Sequence, residues 1–227
     1  MESLNNSGKF VVANWKQNIN SKGIEEWFAG YTKTLNRQST ASKKIIAPPF
    51  LYLKETLDLS KDLGFEISAQ NVSIYEKGAH TGEVGISQIV DYCRYCIIGH
   101  SETKDKLKDI LIKRDLCLEY KIIPIICFTD PVDINSLYRD GVVLAWENPS
   151  HISKDGEYKP ENTLKIKRLI VVFKSKLPIN ALILYGGSVN RQNANELGNI
   201  PELDGVLVGH ASLDPTHFQD ILGAFDR

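Results

Sequence analysis

The sequence predicts an α/β fold, most simply a single (β/α)8 barrel, with an open doubly wound sheet as the second choice. Three observations lead there. Short, nearly charge-free apolar runs recur eight times, amphipathic stretches lie between them, and no low-complexity tract or Pro/Gly/Ser linker divides the 227 residues. Such β-branched runs suit strands buried on both faces, as in a parallel sheet. Parallel strands in turn require crossovers, which the amphipathic stretches supply.

In the first half, residues 9–13 (KFVVA), 44–47 (KIIA), 65–69 (FEISA) and 95–98 (YCII) read as strands. The second half supplies 122–127 (IIPIIC), 142–145 (VVLA), 181–185 (ALILY) and 205–208 (GVLV). Helical spacing occupies 23–36, 51–63, 105–120 and 161–176. Pro160 followed by Glu161 predicts the first turn of the last of these, because proline gives up no intrahelical donor there and a carboxylate faces the positive dipole end. Asp214-Pro215 offers the C-terminal helix a cap and a first-turn proline in the same way. Segments 128–141 and 190–204 hold little more than about two or three turns at ~1.5 Å per residue. The crossovers after strands 5 and 7 are therefore expected to be shortened, with residues 1–227 forming one domain.

The chain carries 27 Lys+Arg against 28 Asp+Glu, a formal charge of −1. That balance argues against a nucleic-acid surface or an anionic-membrane patch, so any anion site must be local. The longest apolar run, 122–128, falls far short of the roughly 20 residues that cross a bilayer. The polar start, 1–8, lacks the regions of a signal peptide, and a cytoplasmic protein is expected. Four cysteines are too few for a disulfide scaffold, and Cys93 and Cys96 have no second pair at zinc spacing. Packed thiols and no metal are expected.

In such a barrel, residues at strand C-termini and in the following loops are placed for catalysis. Those ends carry Asn14-Trp15-Lys16, Gln70-Asn71, Gly99-His100-Ser101-Glu102, Glu147, Gly186-Gly187-Ser188 and Gly209-His210. One lysine, one histidine and one glutamate thus converge on a single mouth, beside glycine-containing turns that can aim backbone N–H groups at a phosphate. The pattern reads as a phosphate site with acid/base groups next to it. Trp15, Trp27 and Trp146 are expected to pack rather than stack on a ligand.

These residues carry a resemblance. The chain resembles the triosephosphate isomerase family over almost its whole length, through 14–18 (NWKQN), 69–71 (AQN), 78–83 (GAHTGE), 97–102 (IIGHSE), 146–147 (WE), 185–189 (YGGSV) and 204–209 (DGVLVG). The resemblance implies the family's TIM barrel and interconversion of dihydroxyacetone phosphate and D-glyceraldehyde 3-phosphate through an enediolate, in glycolysis and gluconeogenesis. No cofactor is implied, and a homodimer through loop 78–83 is. By the same resemblance Glu147 is the base, His100 the neutral hydrogen-bond donor to the enediolate, and Lys16 the cation facing substrate oxygen and phosphate. Asn14 and Glu102 flank Lys16, and Ser153, Gly187, Ser188, Gly209 and His210 line the substrate's phosphate end. His100 is expected at a helix N-terminus. Two other readings stand beside this one: another sugar-phosphate barrel enzyme, disfavoured by the lack of a metal-ligand cluster or a second strand-end lysine, and a weak or inactive barrel that binds phosphorylated ligands.

The chain departs from the family's pattern in three places. After Glu147 the family has Pro-Val-Trp and a glycine-containing lid, whereas 148–159 reads NPSHISKDGEYK. Proline has moved one place along, Ser150 replaces the bulky hinge residue, and Ser153 stands at the phosphate-facing glycine. Less complete closure is expected, and an incompletely closed site risks loss of phosphate from the enediolate. His210 replaces the second glycine of a phosphate turn, its ring either turned away or joining the phosphate shell. Thr103-Lys104 replaces two arginines, and lysine cannot reproduce their bidentate fork.

Overall fold

Alternation with a period of two inside each strand explains the charge-free runs, because both faces of every strand are covered. The computed structural model describes residues 8–34, 41–151 and 158–226. Its eight strands are β1 (Phe10–Asn14), β2 (Lys43–Ala47), β3 (Phe65–Ala69), β4 (Tyr95–Ile98), β5 (Ile123–Phe128), β6 (Val143–Trp146), β7 (Leu182–Tyr185) and β8 (Gly205–Val208). They pair in parallel in chain order and close into a barrel. Inward residues, among them Phe10, Val12, Ile45, Tyr95, Ile97, Ile125, Val143 and Leu207, fill the barrel interior. Their outward neighbours, such as Val11, Ala13 and Ile46, pack against the surrounding helices. The open-sheet alternative is thereby excluded.

The helices are α1 (Ser21–Thr34), α2 (Leu53–Ser60), α3 (Ile86–Ile89), α4 (Leu107–Glu119), α5 (Ile134–Leu137), α6 (Thr163–Lys174), α7 (Ala194–Gly198) and α8 (Pro215–Phe225). The crossovers after β5 and β7 are short as expected: α5 has 4 residues and α7 has 5. Sequence spacing alone picks out nothing at α3, itself one turn of 4 residues. The stretch 51–63 is not one α-helix, since 3-10 turns at Phe50–Tyr52 and Lys61–Leu63 flank α2.

Helix α6 corrects the expectation for Pro160 and Glu161. It begins at Thr163, where the Asn162 side chain accepts from the Lys165 N–H at 3.2 Å and acts as the cap. Asparagine outcompetes the proline signal because its oxygen satisfies an otherwise unpaired N–H, and Glu161 is left outside the helix. The α8 cap follows expectation, with Asp214 accepting from the His217 N–H at 2.6 Å.

Closure between β1 and β8 depends on one glycine. Gly205 pairs with Phe10, and a Cβ at Gly205 would lie 2.0 Å from the Phe10 carbonyl oxygen. Outside the barrel, Trp27 stacks on Tyr31 with ring centres 5.3 Å apart, and the Trp15 and Trp27 indoles both donate to the Ser212 carbonyl. All three tryptophans are buried packing residues.

Candidate active site

Strand β1 ends at Asn14, whose side-chain oxygen accepts from the Lys16 N–H at 3.1 Å. Lys16 has φ 51°, a left-handed conformation that non-glycine residues rarely hold. Gln70, at the end of β3, fixes it by donating to the Lys16 carbonyl and to the Ala47 carbonyl, both at 2.8 Å. The strained residue carries the ammonium over the barrel mouth, where Nζ meets Glu102 Oε1 at 2.7 Å. Sequence reasoning places Gln70 at a strand end but misses this bracing role, which depends on contact between β1, β2 and β3.

His100 follows Gly99 at the end of β4. A Cβ at Gly99 would sit 2.8 Å from Ile110 Cδ1, and its φ of 69° also favours glycine. The helix expected directly after His100 is absent. Instead 101–103 form a turn closed by Thr103 N–H to the His100 carbonyl at 2.8 Å, and α4 starts only at Leu107. The turn still points a backbone N–H at the ring: Glu102 N–H donates to His100 Nδ1 at 3.2 Å. Nδ1 therefore accepts, and the proton of the neutral ring resides on Nε2. Nε2 in turn faces Glu147 Oε1 at 3.1 Å.

Glu147, one residue past β6, is 1% exposed. Its second oxygen accepts the Ser101 N–H at 3.0 Å. Gly186 leaves room for it, since a Cβ there would approach Glu147 Cγ to 3.1 Å. Cys127 on β5 lies beneath the carboxylate. Burial, together with the Glu147 charge and a hydrogen bond to it, pushes the Cys127 thiol well up, against the pull of Lys16. It stays neutral. No spacing signal in the sequence links Cys127 to that site.

Asn14, Lys16, His100, Glu147, Gly187, Gly209 and His210 line one cleft. Gly187 packs against the Tyr185 ring, where a Cβ would meet the phenol oxygen at 2.1 Å. Gly209 lies under Lys16, with Cε 3.5 Å from where its Cβ would be. The exposed His210 ring stands edge-on to Tyr158, 6.1 Å between centres. Glu102 reaches the cleft through Lys16. Ser188 lies behind it, accepting from the Lys159 N–H at 3.0 Å through its hydroxyl and donating its own N–H to the His151 carbonyl at 2.8 Å. Ser153 lies outside the described residues. Among the described residues, no group of three or more His, Cys, Asp or Glu is arranged to hold a metal ion, and no helix is long and apolar enough to cross a membrane.

The cleft thus holds a buried carboxylate, an imidazole N–H and an ammonium within one small volume, beside two glycine turns. Such a set can remove a proton from carbon while hydrogen-bonding the oxygens that gather charge. The triosephosphate isomerase family model matches residues 9–225. A triosephosphate isomerase of Aquifex aeolicus (strain VF5) is 31% identical over 96% of this chain and 99% of its own length. One from Wolbachia sp. subsp. Brugia malayi (strain TRS) is 32% identical over 96% of this chain and 97% of its own. With the closed barrel and with strand-end residues converging as they do, these matches show that the chain belongs to the triosephosphate isomerase family.

Proposed function

We propose that the chain interconverts dihydroxyacetone phosphate and D-glyceraldehyde 3-phosphate by proton transfer through an enediolate. Glu147 removes the proton from the carbon beside the carbonyl and returns it to the neighbouring carbon. His100 hydrogen-bonds the substrate oxygens from Nε2 as neutral imidazole, an arrangement for which this enzyme family is itself the reference case. Lys16 offsets the charge that develops on oxygen and meets the phosphate. Asn14 and Glu102 hold Lys16, while Gly187, Ser188, Gly209 and His210, with Ser153, frame the phosphate end.

The observation that carries this reading is the Glu147–His100 contact at 3.1 Å in a shared cleft, with Nδ1 already occupied by the Glu102 N–H. A mere binder has no use for a buried base opposite an N–H donor. The reaction belongs to glycolysis and gluconeogenesis, and residues 1–227 work as one domain. A cytoplasmic location fits four buried, unbridged cysteines. Loop 78–83, with Thr81 exposed near its tip, pairs two copies as a homodimer. Sedimentation of the wild type against Thr81→Arg tests the pairing, with a dimer expected for the first and a smaller species for the second.

The activity is tested by a coupled assay in metal-free buffer, run in both directions. Turnover with both triose phosphates supports the reading. Tight binding of either without turnover overturns it.

A further inference from the structure

Behind the base lies a polar network that the proposed reaction does not use. Glu161, displaced from α6 by the Asn162 cap, has a side chain only 6% exposed. Its Oε2 receives the Asn148 side-chain amide at 2.9 Å, the Lys165 ammonium at 2.8 Å and His151 Nε2 at 3.2 Å, while Oε1 receives the Asn162 N–H at 3.1 Å. Asn148 is the residue after Glu147. Its side-chain oxygen accepts the Ser150 N–H at 3.2 Å and its carbonyl accepts the His151 N–H at 2.9 Å. The 3-10 turn Pro149–His151 that follows the base is thus closed on itself and tied to Glu161 at both ends.

We propose that Glu161 is a positioning residue for Glu147, acting through Asn148 and through His151. The proposal rests on the reading of Glu147 as the base. His151 bridges the two flanks of this turn: Nδ1 lies 2.9 Å from the Lys159 carbonyl oxygen and Nε2 lies 3.2 Å from the Glu161 carboxylate.

Other charged and polar groups surround this contact. Burial alone pulls the Glu161 carboxyl upward, but the hydrogen bonds from Lys165 and the Asn162 N–H, with the charges of His151 and Lys165, leave it below its usual range. From β7, burial and the Glu161 charge push the Tyr185 phenol up, so it stays neutral. The Ser188 N–H donates to the His151 carbonyl. Glu161 is the anion among these neighbours and Lys165 the cation. Glu161 thus joins the chain just after the base to the chain just before α6.

This network makes the rate sensitive to small displacements, because misplacing a catalytic group by about an ångström lowers turnover steeply. The test measures kcat and KM for the wild type, Glu161→Gln and His151→Gln from pH 6 to 8.5, with circular dichroism confirming the fold. Glu161→Gln is expected to lower kcat by roughly tenfold with KM within about twofold. His151→Gln, which replaces the two-ended bridge of the ring with a single amide, is expected to lower kcat several-fold with KM within about twofold. Wild-type kcat in Glu161→Gln or in His151→Gln overturns the proposal, as does a change confined to KM. If Glu161→Gln does not fold, His151→Gln decides alone, since that side chain is 26% exposed. A wild type without turnover refutes the isomerase reading itself, and the positioning role falls with it.

Discussion

The backbone N–H of Glu102 donates to Nδ1 of His100 at 3.2 Å. That bond leaves Nε2 as the ring's donor, aimed at Glu147 and at the cleft. His100→Gln keeps a polar side chain but loses the oriented N–H. It is expected to lower kcat by about 10²- to 10³-fold, the usual effect of removing one preorganised donor to a developing oxyanion. Steady-state kinetics check this. A fall of less than about tenfold would show that the ring does not touch the reacting oxygens.

Lys16→Met removes the cation while keeping most of the stem. Because the ammonium would face both the phosphate and the reacting oxygen, kcat and KM should both worsen, with kcat/KM down by more than about 10³-fold. A change in KM alone would confine Lys16 to uniform binding of the phosphate.

His210 lines the cleft, which predicts that its imidazole joins the phosphate shell. Sulfate is a dianion of similar size to phosphate, so its inhibition reports on that shell. Inhibition by sulfate should weaken several-fold in His210→Gly. Equal inhibition of both proteins would turn the ring away from the phosphate.

Gly205→Ala and Gly223→Ala should act in opposite directions. At Gly205 a Cβ would meet the Phe10 carbonyl oxygen at 2.0 Å, so β1 and β8 must separate where the barrel closes. A loss of at least about 3 kcal/mol in urea unfolding is expected. Gly223 lies in α8 with nothing within 4 Å of its Cβ position, and alanine there should add about 1 kcal/mol through helix propensity.

Stability should fall at alkaline pH. Burial, with the Asp226 charge, pushes the Tyr31 phenol from 10.0 up to about 12, and burial, with Cys117, pushes the Cys93 thiol from 9.0 up to about 12. A group whose native value is raised contributes stability that is complete below its unfolded value and is lost as pH climbs to the native value. The loss therefore begins near pH 9 and runs to about pH 12. Lys9 and Lys44, lowered by burial, act in the opposite sense. Thermal midpoints from pH 8 to 11 check this, and Tyr31→Phe should shallow the decline.

Much of the fold is legible in the sequence because strands buried on both faces write themselves as uninterrupted apolar runs. Strands β3, β4 and β8 match the expected limits, and the others shift by one residue at one or both ends. Helical periodicity fails where a crossover is a single turn, as at α3, since four residues hold too little of the 3.6-residue repeat. At the site, Lys16, His100 and Glu147 are visible because barrels put chemistry at strand ends. The supports are not: Gln70 acts on Lys16 across 54 residues, and Cys127 reads as one more buried strand residue. Glu161 misleads in the other direction, since Pro160-Glu161 resembles a helix start and only the Asn162 cap moves the carboxylate into the hinge.

Deuterium exchange tests the role of Glu147 most directly. Dihydroxyacetone phosphate incubated in D2O with the wild type should acquire deuterium at the carbon beside the carbonyl while it isomerises, both followed by proton NMR. Glu147→Gln, which keeps shape but cannot accept the proton, should slow both processes together by about 10²- to 10⁴-fold. Exchange at the wild-type rate in Glu147→Gln would mean that another group takes the proton.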